Sequence, residues 1–396
     1  MKVVDITEFW SERGGGVRGY LTAKARNLSQ LGVTHRVLAP GPRHEEGRLL
    51  AECEASLLVR YAGVPLPYDP SYRLLSGFRK AARRIERERP DVLEIHSPEL
   101  AALGALSVDR RTYGVRTFVW HSDIIDSVIG EWLSRWTGPR SARVVERGLW
   151  SWVRAIAARC DATIVASATT AAKLRARRIP RVVELPFGVD KRAFRPELRA
   201  FSVRRELLGA EGGKLVIGVG RFAAEKNWPL VIEAVKRLDV DSPVTLVLIG
   251  DGPERERLQR LAGTRVKLLG FERNREQLGR LVASADALVH ACPIETFCFA
   301  VAEAVAAGTP VVVPDVGAAA DRRAPACSEV FRSGSGESLA AALERLFARE
   351  PSALRARALE AAQLARSEEQ HFQELLALYG ELGAARIQEK PEERAA

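Results

Sequence analysis

The segment HACPIETFCFAVAEAVAAGTPVVVPD, residues 290–315, carries the most informative chemistry in the chain. Glu295 falls in a loop after a strand-like run, and Glu303 lies about two turns into the apolar helix that follows. A carboxylate within FAVAEAVAAG needs a partner, because a buried lone charge is costly. Thr296 is placed to cap that helix. The amides near Phe297, Cys298 and Phe299 would then be free to hold an anion at the carboxyl end of a parallel strand. Carboxylates beside such amides would repel bare phosphate but accept hydroxyls, and a sugar nucleotide supplies these in quantity.

A basic counterpart follows the run KLVIGVG. Gly218 and Gly220 let the backbone turn at a strand end, and Arg221 and Lys226 follow in the loop GRFAAEKN. An Arg fork and a Lys point charge beside a strand-to-helix turn suit a diphosphate. GVGRFA also fits the dinucleotide pattern G-x-G-x-x-G/A, but Val244–Gly250 ends in the turn Gly-Asp-Gly-Pro rather than in an acid, which argues against a nicotinamide cofactor. Asp239-Val240-Asp241 has the form of a metal-holding DxD. It precedes a strand, however, and ligands of such sheets bind at the carboxyl ends, so it reads as a solvated turn. His121 ends the strand Thr117–Trp120 and is a candidate ligand or catalytic group, with His96 a lesser one. Ser122 and Asp123 beside it make no hydrolase triad, since no GxSxG elbow is present.

The elements that must position these residues alternate along the whole chain. Apolar runs at Lys2–Ile6, His35–Ala39, Asp91–Ile95, Thr117–Trp120 and Ala162–Ala166 are separated by helix-like stretches such as Tyr20–Gln30. A proline-containing break covers about 186–212. The alternation restarts with strands at Lys214–Gly218, Val244–Gly250, Val266–Leu269, Ala287–His290 and Pro310–Pro314. Strands apolar on both faces, alternating with helices, predict parallel sheets covered on both sides. The expected division is an N-terminal domain at 1–190 and a C-terminal domain at 191–366. A helix at 367–387 is expected to pack back on the first domain, ahead of a polar tail at 388–396.

The 396 residues carry 60 Lys+Arg against 50 Asp+Glu, a net charge of +10, with 46% hydrophobic residues. That composition excludes a disordered or collagen-like chain and points to an anionic partner. Five scattered cysteines without CxxC argue against a disulfide framework, and they show no zinc-ligand spacing. No apolar stretch approaches the ~20 residues of a membrane span. A cytoplasmic protein is expected, with peripheral attachment to the inner membrane face as a further expectation.

In order, Gly220-Arg221…Glu225-Lys226-Asn227, Gly250-Asp251-Gly252-Pro253, Glu295-x7-Glu303 and Gly308-Thr309-Pro310 resemble glycosyltransferase family 4. Looser matches are Gly14-Gly15-Gly16-Val17, His121 and Pro186-x-Gly188-Val189-Asp190. The resemblance implies an α/β GT-B fold, two doubly wound Rossmann-like domains facing a central cleft, and a retaining, metal-independent hexosyltransferase. It also implies roles. Arg221 and Lys226 would hold the diphosphate and stabilise the leaving nucleoside diphosphate, with Glu303 on the ribose and Glu295 on sugar hydroxyls. Backbone at Gly220, Phe297, Cys298 and Phe299 would line the phosphates and sugar, and backbone near Gly270–Phe271 would border the base. His121 would approach the donor sugar, and Gly15 and Gly16 the phosphates or acceptor. Three departures stand out: Cys298 where Gly is usual in E-x-F-G, Phe187 where Asn is usual in P-N-G-V-D, and His290-Ala291 in place of Pro-Ser, read as having little consequence.

The excess charge lies mostly in the first half. Arg73, Arg79, Lys80, Arg83, Arg84, Arg87 and Arg89 fall in one stretch, and Glu131–Arg159 combines six arginines with Trp132, Trp136, Trp150 and Trp152. Basic residues with interfacial aromatics fit an anionic membrane surface, and a helix packed by its tryptophans with its arginines in water fits equally; no nucleic-acid-binding signature accompanies them. The GGGVR loop is reminiscent of bacterial mannosyltransferases, so GDP-mannose is the first expectation for the donor, and a lipid-linked or glycan molecule for the acceptor. A UDP-sugar donor, a sugar-nucleotide epimerase or phosphorylase on the same fold, and a non-catalytic protein that binds anionic lipid stay open beside it.

Overall fold

The computed structural model describes residues 1–11, 15–66, 71–121, 123, 125, 130–209, 212–238 and 243–393, without the side chains of 130–139 and 386–393. Gly14, Ser122 and the Asp239-Val240-Asp241 turn lie outside the described residues, as do the side chains of Trp132 and Trp136. Two compact units emerge: Met1–Pro186 with Glu369–Ala396 (unit 1), and Phe187–Glu368 (unit 2).

Unit 1 is built on strands β1 (Lys2–Ile6), β2 (Thr34–Gly41), β3 (Glu45–Arg48), β4 (Ser56–Ala62), β7 (Val92–Ile95), β8 (Val115–Val119), β9 (Ala162–Val165) and β10 (Val182–Glu184), with a small ribbon of β5 (Val64–Pro65) and β6 (Arg73–Leu74) apart from the sheet. Their order is β10-β9-β8-β7-β1-β2-β4-β3, parallel except where β3 runs against β4. Runs such as VVDI and ATIV form these strands because β-branched residues suit a pleat buried on both faces. Helices α1 (Gly16–Gln30), α2 (Phe78–Glu88), α3 (Leu100–Leu106), α4 (Gly130–Ala158) and α5 (Ala168–Ala176) cover the sheet. The chain leaves β1 towards β2 on one side and returns at β7 on the other, so a crevice opens at the carboxyl ends between them.

The middle of this sheet is charged. Asp5 of β1 and Glu94 of β7 are fully buried, and Lys24 of α1, also fully buried, reaches both, at 2.8 and 2.7 Å. His35 Nε2 lies 2.7 Å from Asp5, and Thr117 donates to Glu94 at 2.9 Å. The last helix, α14 (Glu368–Glu393), adds Tyr379, whose hydroxyl donates to Glu94 at 2.5 Å and lies 3.2 Å from the Lys24 ammonium. Burial raises the pKa of Asp5, but Lys24, His35 and His96 outweigh it and hold the carboxyl well below its ordinary value.

In unit 2, β11 (Lys214–Val219), β12 (Val244–Ile249), β13 (Val266–Leu269), β14 (Ala287–Val289), β15 (Val311–Pro314) and β16 (Ser328–Phe331) form one parallel sheet ordered β13-β12-β11-β14-β15-β16. It is flanked by α6 (Phe201–Leu208), α7 (Trp228–Lys236), α8 (Arg255–Leu261), α9 (Arg275–Ser284), α10 (Phe299–Ala306), α11 (Ala318–Arg322), α12 (Gly336–Phe347) and α13 (Pro351–Leu364). Two apolar layers sandwich the sheet, one around Ile217, Val301 and Val313, the other around Trp228, Leu246 and Leu343. The switch point falls between β11 and β14.

Several elements differ from the sequence reading. β4, β10 and β16 carry charges or are only three or four residues long, so their alternation gave no signal. α1 begins at Gly16, ahead of the expected Tyr20. Gly15 precedes it at φ +124°, a conformation open to glycine. α14 runs on to Glu393, through most of the expected polar tail. Replacing Lys24 with Met would leave two buried carboxylates short of a cation. A loss of ~3–5 kcal/mol is expected, read as a lower denaturation midpoint; an unchanged midpoint would show that the network adds no stability.

Candidate active site

The loops leaving β11 and β14 bring Lys226 and Glu295 together, with the ammonium 2.5 Å from Glu295 Oε1 and both side chains about 19% exposed. Lys226 closes a short helical turn. Asn227 follows in the left-handed conformation (φ 52°) that starts α7, and its side-chain amide donates to Ala291 O at 3.2 Å, tying the two loops together. The Gly-Asp-Gly-Pro turn packs on the same loop: Phe222 N–H donates to Asp251 O and Glu254 N–H to Phe222 O, both at 2.9 Å. A Cβ on Gly250 would stand 2.0 Å from Gly220 O, so only glycine permits that approach.

Burial pushes the Glu295 carboxyl up, yet Lys226 and His290 more than compensate and bring its pKa down to about 2. Desolvation works against the Lys226 charge, and Glu295 reverses it, so the Lys226 pKa is raised. Arg221, half-exposed, reaches Glu225 at 3.0 Å. Glu303 is buried in α10, as the apolar surroundings demanded, and meets Arg275 at 2.8 Å. Burial raises its pKa despite that partner. Arg275 opens α9, lies over the Phe194 ring at 4.7 Å, and was missed by the sequence reading. The only hint was that Glu303 required a cation. His290, read from the sequence as having little consequence, lies with its Nε2 3.3 Å from Glu295 Oε1.

Thr296 does not cap α10. The helix starts at Phe299, and the residue at the cap is Cys298, itself left-handed at φ 66° and without a side-chain cap bond. A position usually held by glycine thus keeps the backbone shape that glycine favours while carrying a buried thiol, whose pKa burial raises well above normal. Phe187 takes a place among aromatics. It stacks on Phe299 at 5.8 Å and meets Phe297 at 5.2 Å, and those two rings lie 4.8 Å apart. Phe271, after β13, is 56% exposed.

In unit 1, His121 follows β8, with Nε2 2.7 Å from His96 Nδ1 and its ring edge-on to Tyr20. Burial, then His96 and Lys24, lower its pKa well below normal, so the imidazole is neutral at physiological pH. His96 in turn approaches Asp5 and Glu94 at 3.5 and 3.4 Å. Of the basic stretch in α2, Arg84 is committed to Glu46 and Glu88, while Arg79, Lys80, Arg83, Arg87 and Arg89 are exposed. Trp150 follows the packed-helix alternative: it is 1% exposed, stacks on Trp120, and belongs to the core. Trp152 is half-buried and donates to Pro98 O at 2.6 Å. Among the described residues, no helix is long and apolar enough to cross a membrane.

Two family models cover most of the chain: Glycosyltransferase Family 4 matches residues 14–192 and Glycosyl transferases group 1 matches residues 201–364. A GDP-mannose-dependent alpha-mannosyltransferase of Mycobacterium tuberculosis (strain CDC 1551 / Oshkosh) is 30% identical over 82% of this chain and 82% of its own length. A GDP-mannose-dependent alpha-(1-6)-phosphatidylinositol dimannoside mannosyltransferase of M. tuberculosis (strain ATCC 25177 / H37Ra) is 28% identical over 84% and 87%. Among solved structures, a sucrose-phosphate synthase from Thermosynechococcus elongatus superposes with a TM-score of 0.77 at 20% identity, over 97% of this chain and 99% of that one.

Two stability tests follow from the geometry. Glu295 has a pKa of about 2, against 4.5 ordinarily, so its contribution is complete above pH 4.5 and is lost as pH falls towards 2. Denaturation curves of wild type and Glu295→Gln between pH 2 and 6 should therefore converge at the acid end, closing a gap of about 3 kcal/mol; parallel curves would contradict the assignment. Cys298→Gly removes ~1–2 kcal/mol of left-handed strain while losing a small buried side chain, so net stability should change by less than ~1 kcal/mol. Cys298→Val should cost clearly more, because branching at Cβ aggravates the strain.

Proposed function

The chain belongs to the family 4 glycosyltransferases of GT-B fold, and on that premise we propose that it moves a hexose, first of all mannose from GDP-mannose, to a lipid-linked or glycan acceptor. The observation that carries this reading is the Lys226–Glu295 pair, a cation and a hydroxyl acceptor held together at the carboxyl-end switch point of the unit 2 sheet. GDP-mannose is favoured over UDP-sugars by the relatives whose names state that donor.

In this reading the ion pairs Lys226–Glu295 and Arg221–Glu225 are exchanged for contacts with the donor when it binds. Lys226 turns from Glu295, and Arg221 from Glu225, to the diphosphate. Charge grows on the leaving nucleoside diphosphate as the glycosidic bond breaks, so these fixed cations stabilise the transition state more than the ground state. They also serve in place of a divalent metal. Glu295 accepts hydroxyls of the sugar, and Glu303, steadied by Arg275, accepts those of the ribose. Amides from Phe297 to Phe299 and backbone at Gly220 line the diphosphate and sugar, and Gly270–Phe271 borders the base. Neutral His121 contacts the sugar by hydrogen bonding rather than by charge, while Gly15 and Gly16 serve the phosphates or acceptor. Retention at the anomeric carbon completes the assignment.

The exposed cations of α2 suit an anionic membrane surface carrying the acceptor. A mycobacterial relative named for phosphatidylinositol dimannoside is in keeping with that.

A thermal-shift screen of GDP-mannose, UDP-glucose and ADP-glucose tests the donor, with GDP-mannose expected to raise the melting temperature most. A larger shift with UDP-glucose would move the reading to a UDP-sugar enzyme. Product analysis separates transfer from epimerisation or phosphorolysis. Ala at Lys226, Arg221 or Glu295 should each lower kcat/KM by ~2–4 kcal/mol of transition-state stabilisation, and normal turnover in all three would remove the site assignment. Co-sedimentation with anionic liposomes should weaken as salt rises, and indifference to anionic lipid would reject membrane docking.

A further inference from the structure

His290 follows β14 directly, is 2% exposed, and is fixed by its own backbone, whose N–H donates to Val312 O at 3.0 Å. Neither of its ring nitrogens completes a hydrogen bond among the described residues. A buried polar group held short of a well-formed hydrogen bond calls for an explanation, and one explanation is a second state that completes the bond. Nε2 stands 3.3 Å from Glu295 Oε1, the same oxygen that the Lys226 ammonium holds at 2.5 Å.

Polar atoms of His290, Cys292 and Glu295 all lie within 4.8 Å of one another. Such a donor set suits a cation, and the cation in place is the Lys226 ammonium. If that ammonium turns to a diphosphate, Glu295 is left four-fifths buried with its charge uncompensated, which the interior does not tolerate cheaply. The incomplete hydrogen bond of His290 and the prospective deficit on Glu295 are therefore complementary. His290 already stands beside the carboxylate oxygen that Lys226 holds, and Glu295 would depend on it once Lys226 leaves.

We propose that His290 is a positioning residue that takes over Glu295 when Lys226 is transferred to the donor diphosphate, Nε2–H donating to Oε1 so that the carboxylate stays ionised and aimed. No covalent step is involved; a single hydrogen bond replaces an ion pair at one oxygen. The inference rests on the donor reading above. Its consequence is that His290 lowers the free energy of releasing Lys226, and so strengthens diphosphate binding without touching the nucleotide.

Isothermal titration with GDP and, separately, with UDP tests this on wild type, His290→Ala, His290→Gln and Lys226→Ala. For the nucleotide that wild type binds, His290→Ala should weaken affinity ~10-fold, while His290→Gln, which keeps an N–H donor at similar reach, should stay within about twofold of wild type. Rescue by Gln is the result that a merely structural role would not give. Equal affinity in wild type and His290→Ala, or equal losses in the Ala and Gln variants, would overturn the proposal. If Lys226→Ala loses binding while His290→Ala keeps it, only the role of His290 fails. If Lys226→Ala binds as wild type does, or neither nucleotide binds wild type, the donor reading fails first.

Discussion

An ammonium and a carboxylate held 2.5 Å apart at the carboxyl end of a parallel sheet limit what the rest of unit 2 can be. Neither charge would be stable in that position alone, and together they keep each other ionised across the physiological range. The loops that carry them are therefore pinned: Asn227 bonds across to Ala291, and the Gly250 turn packs against the loop after β11. A ligand that offers both an anion and hydroxyl donors can satisfy the two charges at once. A diphosphate bearing a sugar offers both, whereas a bare phosphate offers only the first.

The same logic recurs through the chain. Glu303 is held by Arg275, and Asp5 and Glu94 share Lys24. The difference between the clusters is access. The unit 1 network is sealed, with Lys24, Asp5 and Glu94 all at zero exposure, so it acts as fixed scaffolding beneath His96 and His121. The unit 2 pairs are partly open, and Arg275 is half-exposed. A sealed cluster fixes geometry, and an open one can exchange partners.

Much of this was legible in the sequence, for identifiable reasons. Parallel strands buried on both faces announce themselves as apolar runs, and the loops that follow them hold Arg221, Lys226 and Glu295 where such sheets collect ligands. The GT-B fold and the family followed from the order of those motifs. Pairings across the sheet were not legible. Nothing local marks Arg275 as the cation for Glu303, because 28 residues and a whole β-strand separate them and only the packing of α9 beside α10 brings them together. Lys24 sat on a helix face where a lysine ordinarily points to water, and its burial depends on carboxylates from two strands. Composition alone left Trp150 between an interface and the core, and it lies in the core because the face of α4 that carries it also carries Val153 and Ala157. The cap of α10 was misplaced because Thr296 is the usual residue type for a cap, whereas the chain turns two residues later on a left-handed cysteine.

The discontinuity of unit 1 bears on how the molecule is assembled. Residues 187–368 form unit 2 as one uninterrupted segment, able to collapse as soon as it has emerged from the ribosome. Unit 1 has no such freedom. Its central lysine and Glu94 both bond to Tyr379, on a helix translated only after all of unit 2. The charged centre of unit 1 is therefore completed only by a segment translated after unit 2.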